Sequence, residues 1–230
     1  MKSLNRYAVI NKKLQREMVL LVGNGCKWRK CTFCDYHKDT SASPYEVNKE
    51  ALKKVTGQYG VLDVINSGSC FELDEKTISL IRKISCEKSL QTLWFEAHWM
   101  YHKNLNDFKE LFNGKEVKFR TGVETFNIKI RNLWRKGIPD IVTAEEISKS
   151  FQGVCLLVGV KGQTKEKILK DIEIADKYFE YFSVNVFNEN TTDVKPDKKL
   201  IDWFVSEVAP KLENNQKVEV LIQNTDLGLG

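Results

Sequence analysis

Short β-branched runs and longer helix-forming stretches take turns along this chain about six times. The runs are EMVLLV (17–22), VLDVIN (61–66), LQTLWFEA (90–97), VKFRTGV (117–123), GVCLLVGV (153–160) and FSVNVF (182–187), with VEVLIQ (218–223) closing the chain. Helix signals fill the gaps: Ser43-Pro44 followed by Glu46, Asp74, Asn104 up to Gly114, a stretch ended by Gly137, a Thr143/Glu146 capping box, Thr164 and Asp197. Strand and helix in alternation predict a parallel sheet with right-handed helical crossovers, hence an α/β fold. In either form of that fold, curled or open, function collects where the strands end. The polar loops that follow the runs are therefore expected on one face: NGCKWRKC, NSGSCFE, EAHWMYH, GVETFN, GVKGQT and NENTT.

The chain has 230 residues, enough for one sizeable core. A single domain over 1–230 is expected, its core at about 17–190 and a C-terminal helix and strand over 197–225. The net charge of +5 fits an anionic or polar ligand but does not by itself argue for nucleic acid. No run approaches the roughly 18 apolar residues of a membrane helix, and the N-terminus has no apolar signal region. A cytoplasmic protein with reduced thiols is the expectation.

The first of those loops holds three of the six cysteines, Cys26, Cys31 and Cys34, spaced C-x4-C-x2-C, with His37 three residues on. Thiolates this close repel unless a cation holds them. Zinc on Cys26, Cys31, Cys34 and His37 is one reading, but structural zinc usually pairs two short knuckles and no second pair follows. A plant-type ferredoxin has the same spacing with a distant fourth cysteine, for which Cys70 is the candidate. The regular strand–helix units make the chain too long for that small fold. The third reading is a 4Fe–4S cluster with three protein ligands and one open iron, the mark of a catalytic site. Position favours the third, because the loop leaves the first strand towards the expected functional face.

With that triad the chain resembles the radical S-adenosylmethionine (SAM) superfamily. Phe33, before the last cysteine, matches an aromatic set against the adenine. Ser67, Gly68 and Ser69 stand where the superfamily has a Gly-Gly-Glu-like turn for the methionyl amino group, without its Glu. GVETFN matches the fourth-strand motif, with Glu124 towards the cofactor; LVGVKGQTKE and FSVNVFNENTT match the fifth and sixth, with Asn185 on the latter. The resemblance implies a partial (β/α)6 TIM-like barrel of the radical SAM type. It also implies a 4Fe–4S cluster and SAM as cofactors, and an electron donor such as flavodoxin or ferredoxin. The protein supplies position and shielding for chemistry that belongs to the cofactor.

Glu96 and His98, in WFEAHWMYH, are read either as groups facing substrate or as a helix cap and a satisfied loop histidine. Arg120 and Glu124 share a strand at even spacing, as an internal ion pair or as SAM contacts. Asn185 has a bland reading as a hydrogen-bonded core group. Tyr36, His37 and Asp226 are further candidates by position, while Cys70, Cys86 and Cys155 are read as core or loop thiols. The short chain leaves no room for an auxiliary cluster domain, which points to a small-molecule substrate. Within the superfamily the size and motif style resemble the queuine lyase group, whose members release a 7-deazaguanine base; that resemblance implies a purine-like substrate. A tRNA- or nucleoside-modifying enzyme and a non-catalytic metal-binding module are the alternatives.

Overall fold

The computed structural model describes residues 4–223, so Asp226 lies outside the described residues. These residues form two compact units, 4–29 with 36–119 and 30–35 with 120–223. The cysteine loop is thus divided: Cys26 belongs to the first unit, Cys31 and Cys34 to the second.

The first unit holds β1 (Tyr7–Ile10), β2 (Arg16–Leu21), α1 (Pro44–Leu52), β3 (Val61–Asn66), α2 (Glu75–Glu87), β4 (Thr92–Glu96) and α3 (Leu105–Glu110). Its strands are ordered β1-β2-β3-β4, antiparallel between β1 and β2 and parallel beyond. All six residues of β2 are buried, as expected of an apolar run covered on both faces. A cluster of Phe71, Phe95, Phe108, Phe112 and Phe119 fills the space towards α3.

Two polar networks tie this sheet together. Arg16 Nε donates to Asp63 Oδ2 at 2.8 Å, both side chains being almost wholly buried. Glu17 is buried as well, and accepts from the Tyr7 hydroxyl (2.7 Å), Thr56 N (2.7 Å) and Gly57 N (2.6 Å). Burial pushes the Glu17 carboxyl up, but the donors outweigh it and hold it below the usual range. Further along β2, Asn48 of α1 clamps the backbone at Val22, taking its N–H at 2.7 Å and giving to its carbonyl at 2.9 Å. This clamp fixes where β2 ends and the cysteine loop starts.

The second unit is a parallel sheet ordered β5-β6-β7-β8. β5 (Glu116–Glu124) begins in the first unit. α4 (Ile128–Leu133), α5 (Ala144–Ser150), β6 (Gly153–Val158), α6 (Lys165–Tyr178), β7 (Tyr181–Val186), α7 (Lys198–Trp203), α8 (Ala209–Leu212) and β8 (Val218–Leu221) follow.

Four capping signals act as expected: Asp74, Thr143, Thr164 and Asp197 each accept from the backbone N–H three residues on. Ser43 and Asn104 differ. Each precedes its helix, but neither side chain bonds to the helix; at α1 the work falls to Pro44, preset for the first turn. The helix expected as one piece after Asp197 is interrupted by a π-turn at Phe204–Val208. Pro210, just beyond, has no N–H to give to a regular ladder.

Candidate active site

In the first unit the loop after β2 meets the loop after β3. Asn24 N donates to the Glu72 carbonyl at 2.9 Å, and Lys27 N to Glu72 Oε1 at 2.9 Å. Cys26 lies between these two anchors, half-buried. Gly68 packs directly on it: a Cβ there would stand 3.1 Å from the Cys26 Cα and would collide with the Glu72 carboxylate. This is a position where close approach requires glycine. Ser67 Oγ donates to the Asp39 carbonyl (2.9 Å), and Ser69 N to Glu72 Oε2 (2.5 Å). Tyr101 completes the set, its hydroxyl 3.1 Å from Glu72 Oε1 and its ring stacked on Phe71 at 4.5 Å. Burial, then the Glu72 charge, hold the Tyr101 phenol above its ordinary pKa.

Asn66, at the end of β3, gives its Nδ2 to the Ser69 carbonyl at 3.1 Å. Its Oδ1 is buried and has no hydrogen-bond partner among the described residues. An orphaned acceptor under the Ser67–Ser69 turn suits a donor that the chain itself does not supply.

Glu96 ends β4 half-buried, and its charge adds to the burial that keeps the Cys70 thiol protonated. His98 shows the capping role that was one of its two readings. Its Nδ1 accepts from Met100 N at 3.1 Å, so it does cap a short turn. In the neutral ring that bond leaves the proton on Nε2. Its backbone N donates to Ser69 Oγ at 3.0 Å, and its ring stacks on Trp28 at 4.9 Å.

In the second unit a tight turn, Cys34 N to the Cys31 carbonyl at 3.4 Å, sets the C-x2-C pair. Phe33 between them is 8% exposed, packed edge-on to Trp134 at 5.5 Å within a cluster of Ile130, Leu157, Val160 and Phe187. The chain after β7 holds the turn from the other side. Asn190 Nδ2 donates to the Phe33 carbonyl at 2.7 Å, and the Thr191 N and Oγ1 donate to Asp35 Oδ2 at 3.0 and 2.8 Å. Thr192 grips Asn190 Oδ1 with its own N–H and hydroxyl, which fixes the amide.

Glu124 sits at a bulge in β5, with φ +67°, and is nearly buried. Its partner is Lys136, at 2.9 Å, and not Arg120, whose guanidinium lies 6.0 Å from the centre of the Tyr181 ring. The bulge between Gly122 and Glu124 breaks the even spacing on which an Arg120–Glu124 pair depends. Burial pulls the Lys136 ammonium down, but the Glu124, Cys31 and Cys34 charges overcome it and hold its pKa above the ordinary lysine value. Asn185 donates to the Leu156 carbonyl and to Ser183 Oγ, both at 3.3 Å, as a strand asparagine satisfied by its neighbours does.

The cysteines are not in disulfides. Among the described residues no three His, Cys, Asp or Glu side chains form a metal-holding group. The donor chemistry still fits a thiolate-bound cluster: three half-buried thiols in one irregular loop, two of them beside a buried ammonium that favours the thiolate. Sequence reasoning missed Glu72, Asn66, Tyr101 and Lys136. Glu72 alone left a signal, as an acid four residues after Gly68 in the turn that lacks its expected Glu.

No family model and no curated protein matches the chain. Among solved structures, a queuine lyase from Clostridium spiroforme bound to SAM and queuine superposes with a TM-score of 0.93. It is 46% identical over 99% of this chain and 100% of that one. Methylornithine synthase (PylB) is 12% identical with a TM-score of 0.55, covering 88% of this chain and 63% of that one, a likeness of fold alone. The expected α/β class, a partial TIM-like barrel of the radical SAM type, is the fold of this chain. With nearly half of its residues shared end to end with that lyase, the chain belongs to the queuine lyase family of radical SAM enzymes.

Proposed function

We propose that this protein cleaves queuine, releasing a 7-deazaguanine base, with a 4Fe–4S cluster and SAM as its cofactors. The observation that carries this reading is the full-length, 46% identical relative whose structure holds both SAM and queuine. When bound, the cluster and SAM would supply radical chemistry for removal of a hydrogen atom from the substrate.

Cys26, Cys31 and Cys34 hold the cluster in this reading. The Ser67–Ser69 turn receives the methionyl end of SAM, where the orphaned Asn66 Oδ1 offers an acceptor for its ammonium. Phe33 wedges the C-x2-C turn onto Trp134 and so orients two of the thiols. Glu124 and Asn185 belong to the cofactor side, Glu124 as half of a neutralised pair rather than as a bare carboxylate.

Glu96 and His98 serve the substrate. A carboxylate accepts from the N–H edge of a guanine-like base, and His98 is the residue we assign to the diol. The reducing electron comes from a small carrier such as flavodoxin or ferredoxin. Among the described residues no helix is long and apolar enough to cross a membrane. The unbridged thiols favour a reducing compartment, the cytoplasm.

The test is anaerobic reconstitution with iron and sulfide, then SAM, strong reductant and queuine. Loss of queuine with release of a deazaguanine and of 5′-deoxyadenosine is expected. Cleavage of SAM that leaves queuine intact rejects the substrate, and absence of any 5′-deoxyadenosine rejects the reaction class.

A further inference from the structure

We propose that Glu72 is a positioning residue for Cys26: it sets where the loop presents this thiol and touches neither cluster nor substrate. The proposal rests on the reading of Cys26 as a cluster ligand.

Glu72 is 3% exposed, and a carboxylate that deep is costly unless its oxygens are occupied. Three donors occupy them, Lys27 N, Ser69 N and the Tyr101 hydroxyl, and all three are neutral. The backbone carbonyl of the same residue takes a fourth donor, Asn24 N. One residue therefore grips the loop two positions before Cys26 and one position after it. Gly68 closes the third side by packing on the Cys26 backbone.

Each bond has a geometric consequence. The bond to Lys27 fixes the backbone orientation just past Cys26, and hence the direction of its Cα–Cβ vector. The bond to Ser69 locks the turn after β3 to the same carboxylate. Because Ser69 Oγ accepts from His98 N, the carboxylate also links the backbone beside Cys26 to the end of β4 through three hydrogen bonds. A buried acid served by neutral donors adds little to stability by charge alone. What it adds is a fixed register between a thiol-bearing loop and two loops beside it.

The experiment reads the thiol directly, in metal-free full-length protein, by site-resolved iodoacetamide labelling. Glu72→Gln keeps the shape but turns an NH2 group towards a backbone N–H; Tyr101→Phe removes one donor and nothing else. Losing one to two net hydrogen bonds frees the loop, so Glu72→Gln should label Cys26 roughly 5- to 30-fold faster. Tyr101→Phe should raise the rate about two- to fivefold. Cys31, Cys34 and the exposed Cys86 should stay within about twofold of wild type in both variants. After reconstitution, Glu72→Gln should lose iron to a chelator faster and show an altered spin-resonance line of the reduced cluster.

Two results overturn the proposal: Cys26 labelling at the wild-type rate in both variants, or all four thiols accelerating together, which marks general loosening. If Glu72→Gln does not fold, Tyr101→Phe decides alone. Labelling needs no cluster, so its failure stands apart from a failure of the wild-type protein to cleave queuine.

Discussion

Lys136 Nζ donates to Glu124 Oε1 at 2.9 Å, with the two side chains only 11% and 10% exposed. The pair joins the end of β5 to the segment after α4, next to the Cys31–Cys34 turn. Its lysine pKa is raised, so its stabilising share is complete below the ordinary value of 10.5 and is lost only as pH climbs through the higher folded value.

Lys136→Met should therefore leave a buried carboxylate without its cation, at a cost of about 3–5 kcal/mol. Adding Glu124→Leu to the same chain should recover much of that loss, because a buried pair replaced by apolar groups is often neutral. Urea unfolding of the single and double variants at pH 7 measures both. A single variant as stable as wild type would falsify the view that the pair is closed to solvent.

Asn48 should behave as a clamp rather than as filler. Asn48→Ala strands the Val22 N–H and carbonyl, which it satisfies at 2.7 and 2.9 Å, and removes a 3.1 Å bond to Thr77 Oγ1. A loss of about 2–4 kcal/mol is expected, as for a buried polar group cut away from its partners. Thermal unfolding checks it; a change below about 0.5 kcal/mol, the range of ordinary surface substitutions, contradicts it.

The alternation of runs was legible because strand and helix periods differ and the loops between them carry caps. β2 through β8 all stand where apolar runs placed them, to within one or two residues at most ends. β1 was not legible: Tyr7–Ile10 is four half-exposed residues whose strand form depends on pairing with β2. Spacing marked the three thiols as a group, since a metal demands donor density, and left what they hold open among three readings. Their supports were not. Glu72, Lys136 and Asn190 act through bonds to residues 45, 12 and 157 positions away, and no local pattern encodes such pairings. The ion-pair reading of Arg120 and Glu124, one of the two the sequence offered, does not hold for a related reason, because a bulge of one residue reverses a strand's faces without a mark in the residue types.

The hold of Asn190 and Thr191 on the Cys34 turn should be visible in iron retention. Thr191→Val removes the hydroxyl bond to Asp35 and keeps the backbone one, while Asn190→Ala frees the Phe33 carbonyl. Each bond is worth about 1 kcal/mol, so chelator-driven iron loss from reconstituted protein should quicken roughly fivefold. Thr191→Ser, which keeps the hydroxyl, should restore the wild-type rate. Equal rates in Thr191→Val and Thr191→Ser would assign the hydroxyl no part.

Asp171 gives the fold a pH dependence of unusual sign. Burial pushes its carboxyl up to about 6, against the bonds from Thr125 Oγ1 (2.6 Å) and Phe126 N (2.8 Å) and the nearby Arg131 charge, which pull it down. An acid with a raised folded pKa stabilises the native state most below its ordinary value of 3.8, and that share is lost as pH rises through about 6. A shift from 3.8 to about 6 corresponds to at most roughly 3 kcal/mol. Asparagine resembles the protonated form at every pH. Asp171→Asn should therefore gain on wild type as pH rises from 4 to 7, most steeply near pH 5, midway between the two values. Urea unfolding of both proteins across that range gives the difference curve. A flat curve, or one that falls with pH, means the carboxylate is ionised throughout and the donors from Thr125 and Phe126 outweigh its burial.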